Sequence, residues 1–414
     1  MFTLKITKYQ IRPEIFENPI FYIQLKAMRI YGYIIGTNQN YQLLHLIRST
    51  IFTASFVLTT FLLVGTSYFN AADATSWATA FFYLATSATV VNMYFQRKRI
   101  FTLVNFIHDD LDLLRAYADN EEQLIFKNFL RDLHKISLLL YIPSVLGGYC
   151  PSLDCFYRSI LYPETVFNLP QVLNGTAQPT ILHKIYPFRE VYDNLFIGYL
   201  MPYYCHLMIV YTLPMLHTFI TCLMQYVLIK TVIISKRLRE MDVKSREDIK
   251  NLGEDEKNYW RLKMCEVCVK EQMKIRWFTE ELLELIRIPV FLDAIIFSVI
   301  ICFLLYVLIK GTPSILDYCF TFNYLFVMTT VLWLYHWQAT LVAESMDNLC
   351  YSIYCCDWYN YPLKVQKCIR LLMMSSSRPL KMRAIFVTLN LTTFIDILRG
   401  AVSYFSILRN LNTN

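Results

Sequence analysis

The chain has 414 residues, of which 56% are apolar, 16% aromatic and only 17% charged, with a net charge of +7. A soluble chain carries about 25% charged residues, so this balance, with a mean hydropathy of +0.36, excludes a soluble globular protein. It implies a polytopic membrane protein, all-α, in which helices must cross a bilayer.

Residues 1–40 read as a cytoplasmic N-terminal segment whose stretch 19–34 forms a short re-entrant or interfacial amphipathic helix. MFTLKITKYQIRPEIF lacks the basic, apolar and small-residue order of a signal peptide, so the first span itself is expected to direct insertion. Uncharged runs then place the spans. Residues 49–72 give 24, 74–96 give 23, 136–153 give 18, 194–229 give 36, 294–309 give 16 and 318–343 give 26. Since about 20 apolar residues cross a bilayer, these are six spans. In the third, Gly147, Gly148 and Pro151 are expected to end the helix early. The 36-residue run reads as one helix that continues past the membrane, or as two spans turning near Pro202 or Pro214. A seventh span is weaker, because residues 384–395 stay uncharged for only 12 positions. It holds as a span only if its polar side is hidden from lipid.

Lysine and arginine set the orientation. Residues 1–50, 97–135, 230–276 and 364–383 together hold 32 of them, whereas the opposite side holds six. The N-terminus is therefore predicted in the cytoplasm and the C-terminus outside, opposite to a G-protein-coupled receptor. Two features of the outer loop 149–190 agree: the sequon at Asn174, and Cys150 and Cys155, which an oxidising exterior would allow to bond. A second sequon, at Asn390, falls in the seventh span and is expected to be silent. The outer loop, rich in proline and aromatic residues, is either a lid over the bundle or a spacer.

The organisation along the chain follows. Residues 41–230 hold spans one to four, 231–285 a cytoplasmic helical anchor segment, 286–375 spans five and six with cytoplasmic extensions, and 376–414 the last helix. In the anchor, KNYWRLKMCEVCVKEQMKIRWFTEELLELI has helical periodicity with its charges on one side. Helices that leave the bilayer this way must pack on each other or on another subunit.

Catalytic chemistry is not visible. Cys265-Glu-Val-Cys268 has no second pair, His108-Asp109-Asp110 reads as a solvated inner face, and no phosphate loop, nucleophile elbow or metalloprotease motif is present. No metal or cofactor is implied, and Arg97-Lys98-Arg99 reads as an inner-leaflet anchor rather than a nucleic-acid patch.

Two late segments are distinctive: AESMDNLCYSIYCCDWYNYP (343–362) and RPLKMRAIFVTLNLTTFIDILRGAVSYFSILRN (378–410). Glu344-Ser345, Tyr354, Trp358-Tyr359, Arg378-Pro379-Leu380, Phe386, Leu389, Leu391, Thr393-Phe394 and Ser403-Tyr404-Phe405 resemble the C-terminal signature of insect odorant receptors. The resemblance implies a seven-helix, ligand-gated, non-selective cation channel in the plasma membrane, on the sensory dendrites of olfactory neurons. It implies a tetramer with shared co-receptor subunits, cytoplasmic helices packed around the axis, and a pore lined by each last helix. Its partners would be a small volatile organic ligand, permeating cations and membrane lipid.

The residues can be set against that expectation. By steps of three and four, Asp396, Gly400, Ser403, Ile407 and Leu411 share one stripe of a helix, with Asn410 beside it. By resemblance Ile407, Asn410 and Leu411 occupy the family's gate positions, Ile407 where valine is common. A ring of such aliphatics forms a hydrophobic constriction that opens by wetting. Asp396 either concentrates cations or simply pairs with Arg399. Odorant-like ligands call for aromatic walls and few polar groups. The outer halves of spans two, three, four and six offer Trp77, Phe81, Tyr141, Ser144, Gly147, Tyr199, Tyr203, Tyr204, Tyr318 and Phe322, each of which could equally serve helix packing. The rival readings are a gustatory-type receptor channel, a G-protein-coupled receptor and a transporter. Charge asymmetry opposes the second, and the lack of paired half-repeats opposes the third.

Overall fold

A computed structural model of the chain describes Gln24, Met28 and residues 42–69, 74–161, 201–241, 253–310, 315–377 and 382–413. Among them the chain is helical apart from one small hairpin. The elements are α1 (Gln42–Phe69), α2 (Ala74–Phe95), α3 (Arg97–Tyr117), α4 (Asn120–Leu161), α5 (Met201–Arg239), α6 (Glu254–Lys310), α7 (Ile315–Tyr354) and α8 (Leu363–Ser376). The hairpin strands β1 (Arg383–Ala384) and β2 (Val387–Thr388) and the last helix α9 (Leu391–Thr413) follow. Spans one to seven belong to α1, α2, α4, α5, α6, α7 and α9.

Helix α6 is the hub. Its 57 residues make a rod of roughly 85 Å, far longer than a bilayer, and it packs against α2, α3, α5, α7, α8 and α9. Pro289 lies inside it. Proline has no N–H, so the carbonyl four residues earlier, that of Leu285, loses its helical partner. Asn92 of α2 replaces it, its Nδ2 donating to Leu285 O at 2.9 Å. Gln96 Nε2 reaches the neighbouring Glu284 O at 3.3 Å. The missing helical bond is thus replaced from outside the helix, at the interface with α2.

Where α5 and α6 leave the apolar zone, charges are buried in pairs. Lys230, 4% exposed, lies 2.9 Å from Asp110 of α3 and 2.6 Å from Glu271 of α6. Tyr226 donates to the same aspartate at 2.8 Å. Burial pushes Glu271 upward, but Lys230 and Lys274 outweigh it and hold the carboxyl below its ordinary range. Two turns on from Lys230, Arg237 grips Glu122 of α4 with two nitrogens at 2.7 and 3.0 Å. A fully buried charge deprived of its partner costs several kcal/mol, so this cluster fixes the register of α3, α4, α5 and α6. The C-x-x-C residues also face this interior. Cys265 Sγ donates to Cys368 Sγ of α8 at 2.7 Å, and burial raises both C-x-x-C thiols, Cys268 to about 12. They remain protonated at neutral pH and pack as small apolar side chains.

Two local expectations change, and a third region shows one buried contact. Helix α4 does not end at Gly147, Gly148 or Pro151 but runs to Leu161. At Gly147 the turn is covered by Asn323 of α7, whose amide donates to the Pro143 carbonyl, so a contact between helices outweighs glycine's low helix propensity there. The last span does not begin at the start of the uncharged window 384–395 either, but seven residues into it, at Leu391. Arg383–Thr388 forms a hairpin whose two-residue turn puts Ile385 at φ 57, a conformation a β-branched residue rarely adopts. Asn390 then opens α9, its Oδ1 accepting from Thr393 N at 2.7 Å, which is the bond of a helix cap. Lastly, Gln24 is buried and donates to Ser137 of α4 and Thr218 of α5 at 3.2 and 3.4 Å, so the N-terminal segment enters the bundle at that point.

Replacing Asn92 by Leu is expected to lower stability by about 1–3 kcal/mol, the cost of one buried carbonyl left unpaired. Adding Pro289→Ala, which restores the missing N–H, is expected to recover part of that loss. Thermal unfolding of the detergent-purified chain measures both; strictly additive effects would refute the compensation.

Candidate ligand pocket and pore helix

Four helices converge on a cavity in the outer half of the bundle. Its wall is Thr79, Phe82 and Tyr83 of α2, Ser144 and Gly147 of α4, Ile209, Val210 and Leu213 of α5, and Phe320, Asn323, Tyr324, Val327 and Met328 of α7. The walls are almost wholly apolar. The volume is about 70 Å³, well below the roughly 150 Å³ that admits benzene into an engineered cavity. A ligand of more than a few heavy atoms therefore enters only if the walls give. Met328, unbranched and polarizable, is the side chain best able to do so.

Two polar groups define the interior. Asn323 Nδ2 donates to the carbonyl of Pro143 at 3.0 Å, crossing from α7 to α4. It passes over Gly147 so closely that a Cβ there would collide with it. Glycine at 147 is thus what lets the amide reach the neighbouring backbone. Ser144 is the second group: its Oγ is buried and has no hydrogen-bond partner among the described residues. A serine in a helix commonly bonds a carbonyl of the preceding turn; this one does not. Tyr324, by contrast, is held, donating to Ala78 O at 3.3 Å.

One turn inward from Leu213, His217 of α5 hydrogen-bonds the Tyr335 hydroxyl of α7. Asp293 of α6 places a carboxylate oxygen 3.9 Å from the same imidazole nitrogen. All three are buried. This polar step forms a floor beneath the pocket and joins α5, α6 and α7.

Of the residues expected around a ligand, Ser144 and Gly147 line the cavity. Trp77 and Phe81 do not: their rings lie 5.7 Å apart, and Phe81 stacks on Phe303 of α6 at 6.2 Å. Tyr141 is half-buried on α4, outside the lining. Tyr204, Tyr318 and Phe322 are exposed on the bundle's outside. Tyr199 and the side chain of Tyr203 lie outside the described residues, as do Asn174 and the side chains of Cys150 and Cys155. The cavity thus takes two of the expected residues, and its remaining wall comes from other positions on α2, α5 and α7. The usable signal was polarity: Thr79, Ser144 and Asn323 mark the protein-facing side of their spans, and Phe82, Tyr83 and Tyr324 share that side.

Helix α9 packs on α6 and α7. Phe394 lies 6.1 Å from the His336 ring, while Ala401 and Phe405 are buried further along. The opposite face is open in the single chain. Asp396, Ser403, Ile407 and Asn410 are exposed, and a Cβ on Gly400 would meet nothing within 4 Å. Asp396 and Arg399 stand 3.6 Å apart with side chains 62% and 78% exposed, a contact worth at most about 1 kcal/mol. Leu411 lies on the helix, but its side chain is outside the described residues.

The sequence profile of the family described as 7tm Odorant receptor matches residues 70–402. The chain is also 44% identical over 413 residues to Odorant receptor 56a of Drosophila melanogaster, covering 98% of this chain and 99% of that one. The chain belongs to the odorant receptor family. It is therefore a multi-pass membrane protein of a receptor family. The fold agrees. The insect olfactory receptor OR5 from Machilis hrabei, solved in complex with eugenol, superposes with a TM-score of 0.74 at 16% identity, over 97% of this chain and 100% of that one. A second structure of the Machilis receptor gives 0.73 at 16% identity, over 95% and 99%.

Replacing Gly147 by Ala in this family member is expected to push Asn323 off the Pro143 carbonyl and reshape the cavity. Dose–response curves should shift by about tenfold or more for responsive ligands, while surface expression is retained. Unchanged curves would show that the cavity wall does not meet the ligand.

Proposed function

We propose that this chain is the odorant-tuned subunit of a ligand-gated, non-selective cation channel. A small, weakly polar volatile enters the outer cavity, and the last helix of each subunit lines the pore. The subunit assembles with shared co-receptor subunits as a hetero-tetramer in the plasma membrane of olfactory neurons, on the sensory dendrite. Its N-terminus is inside and its C-terminus outside, the reading that the 32-to-six division of lysine and arginine supports.

The observation that carries the ligand reading is Ser144: one unsatisfied hydroxyl in an apolar enclosure between four helices. Apolar walls supply affinity, and a few polar groups, Ser144 first among them, supply orientation. That the Machilis receptor of like fold was solved with eugenol is consistent with this. The pore reading rests on α9, whose polar stripe Asp396, Gly400, Ser403 is unsuited to lipid. Ile407, Asn410 and Leu411 would then close the outer end. Helix α7 links the two regions, since it carries Met328 in the cavity wall and, two turns inward, His336 against Phe394 of α9. Ligand binding opens the pore only if it is tighter in the open state than in the closed one.

With the co-receptor present, Ser144→Ala is expected to weaken responses to carbonyl- or hydroxyl-bearing volatiles by about five- to tenfold, the value of one hydrogen bond. Hydrocarbons of the same shape should be unaffected; an equal loss for both would defeat the assignment. Cysteines placed singly at Ser403 and Ile407 should react with aqueous thiol reagents and alter the current. Modification that leaves current and ion selectivity unchanged, in channels of normal surface density, would remove α9 from the pore.

A further inference from the structure

A ligand-sized groove that shares no lining residue with the outer cavity lies on the surface between α1 and α2. Helix α1 packs chiefly on α2, and the two leave a groove of about 520 Å³, within the roughly 300–1,000 Å³ of ligand clefts. Its long walls are apolar, from Val57 and Phe61 of α1, which are 45% and 75% exposed, to Val91 of α2.

Its inner end is chemically different. Thr50 and Tyr94 join their hydroxyls at 2.9 Å across the groove. Arg97, just past the end of α2, sits over the Tyr94 ring at 5.2 Å and makes no ion pair with a described residue. Its neighbour Arg99, by contrast, is engaged by Glu281 at 2.7 Å. One turn deeper than Thr50, the groove-lining Thr53 has a buried hydroxyl without a hydrogen-bond partner. The polar groups are therefore ordered by depth: a guanidinium at the boundary, a hydroxyl pair, a lone hydroxyl, then hydrocarbon walls. Thr50 to Phe61 spans roughly 16 Å of helix, close to the about 15 Å of one leaflet's hydrocarbon.

That sequence of groups is the sequence along a glycerophospholipid: phosphate, glycerol, ester, acyl chain. We propose that the α1–α2 groove is a binding site for one inner-leaflet phospholipid with an anionic headgroup, its phosphate held by Arg97, an ester carbonyl by Thr53 and one acyl chain along Val57 and Phe61. A guanidinium suits a phosphate oxygen pair through parallel donors, and the cytoplasmic leaflet is the anionic one. The proposal rests on the inward placement of the N-terminus and not on the odorant cavity, so the two fail separately.

The test is native mass spectrometry of the full-length chain equilibrated with equimolar phosphatidylserine and phosphatidylcholine of the same acyl composition. The wild-type chain is expected to retain phosphatidylserine preferentially, and Arg97→Gln to lose about tenfold of that retention, the factor a charge-assisted hydrogen bond supplies. Val57→Trp, which fills an exposed stretch of the groove without touching the core, is expected to reduce retention of both lipids. Equal retention of the two lipids by the wild-type chain would overturn the headgroup assignment. Retention unchanged in both Arg97→Gln and Val57→Trp, in monodisperse protein, would overturn the site.

Discussion

A buried backbone carbonyl needs a partner, and Pro289 frees one such carbonyl in the longest of the described helices. The bond from Asn92 Nδ2 to Leu285 O at 2.9 Å answers that need. Much follows from it. Because the freed carbonyl is satisfied by α2, helix α6 carries Pro289 and still runs uninterrupted from Glu254 to Lys310. A continuous α6 is in turn what the other helices pack on, from the cytoplasmic α8 to the last helix α9. An unmet carbonyl would favour splitting the helix there, and the two parts would no longer move as one body.

The same rule acts on side chains, with a different outcome at each depth. In the inner bundle, Lys230 is almost fully buried yet touches two carboxylates, one on α3 and one on α6. Such clusters contribute less to stability than to register, because any other alignment of α3, α5 and α6 strands an ion. Deeper in, His217, Tyr335 and Asp293 gather from three helices at the cavity floor. A cavity above a polar step has a base that resists sliding and a wall, at Met328, that yields. Deformation on ligand entry is thereby directed sideways into α7 rather than down the bundle axis.

Spans, orientation and helical class were legible because they depend on counts: uncharged runs and lysine asymmetry survive ignorance of packing. Helix rotation was not legible. On α2, Phe81 stacks on Phe303 with Trp77 beside it, whereas the cavity takes Phe82 and Tyr83. An aromatic stripe looks alike whether it meets ligand, lipid or another helix, whereas a lone amide such as Asn323 does not. The hairpin before α9 was also hidden, since Ile385 at positive φ contradicts every local preference of isoleucine. Only surrounding contacts can impose that turn. Phe386, its other turn residue, leans on Phe291 of α6 at a ring distance of 6.2 Å.

Helix α9 joins these strands of reasoning. Its inward face is an ordinary packing seam of Phe394, Ala401 and Phe405, and its outward face mixes Asp396, Ser403 and Asn410 with Val402, Tyr404 and Ile407. Lipid would tolerate the second group and penalise the first; bulk water would do the reverse. A surface that suits neither solvent alone fits a boundary where part of the helix meets other protein and part meets water. Within one chain nothing described covers that face, and the weak Asp396–Arg399 contact does not neutralise it. Completion must come from outside the chain, and copies of a similar helix arranged around an aqueous axis would supply both protein and water at once.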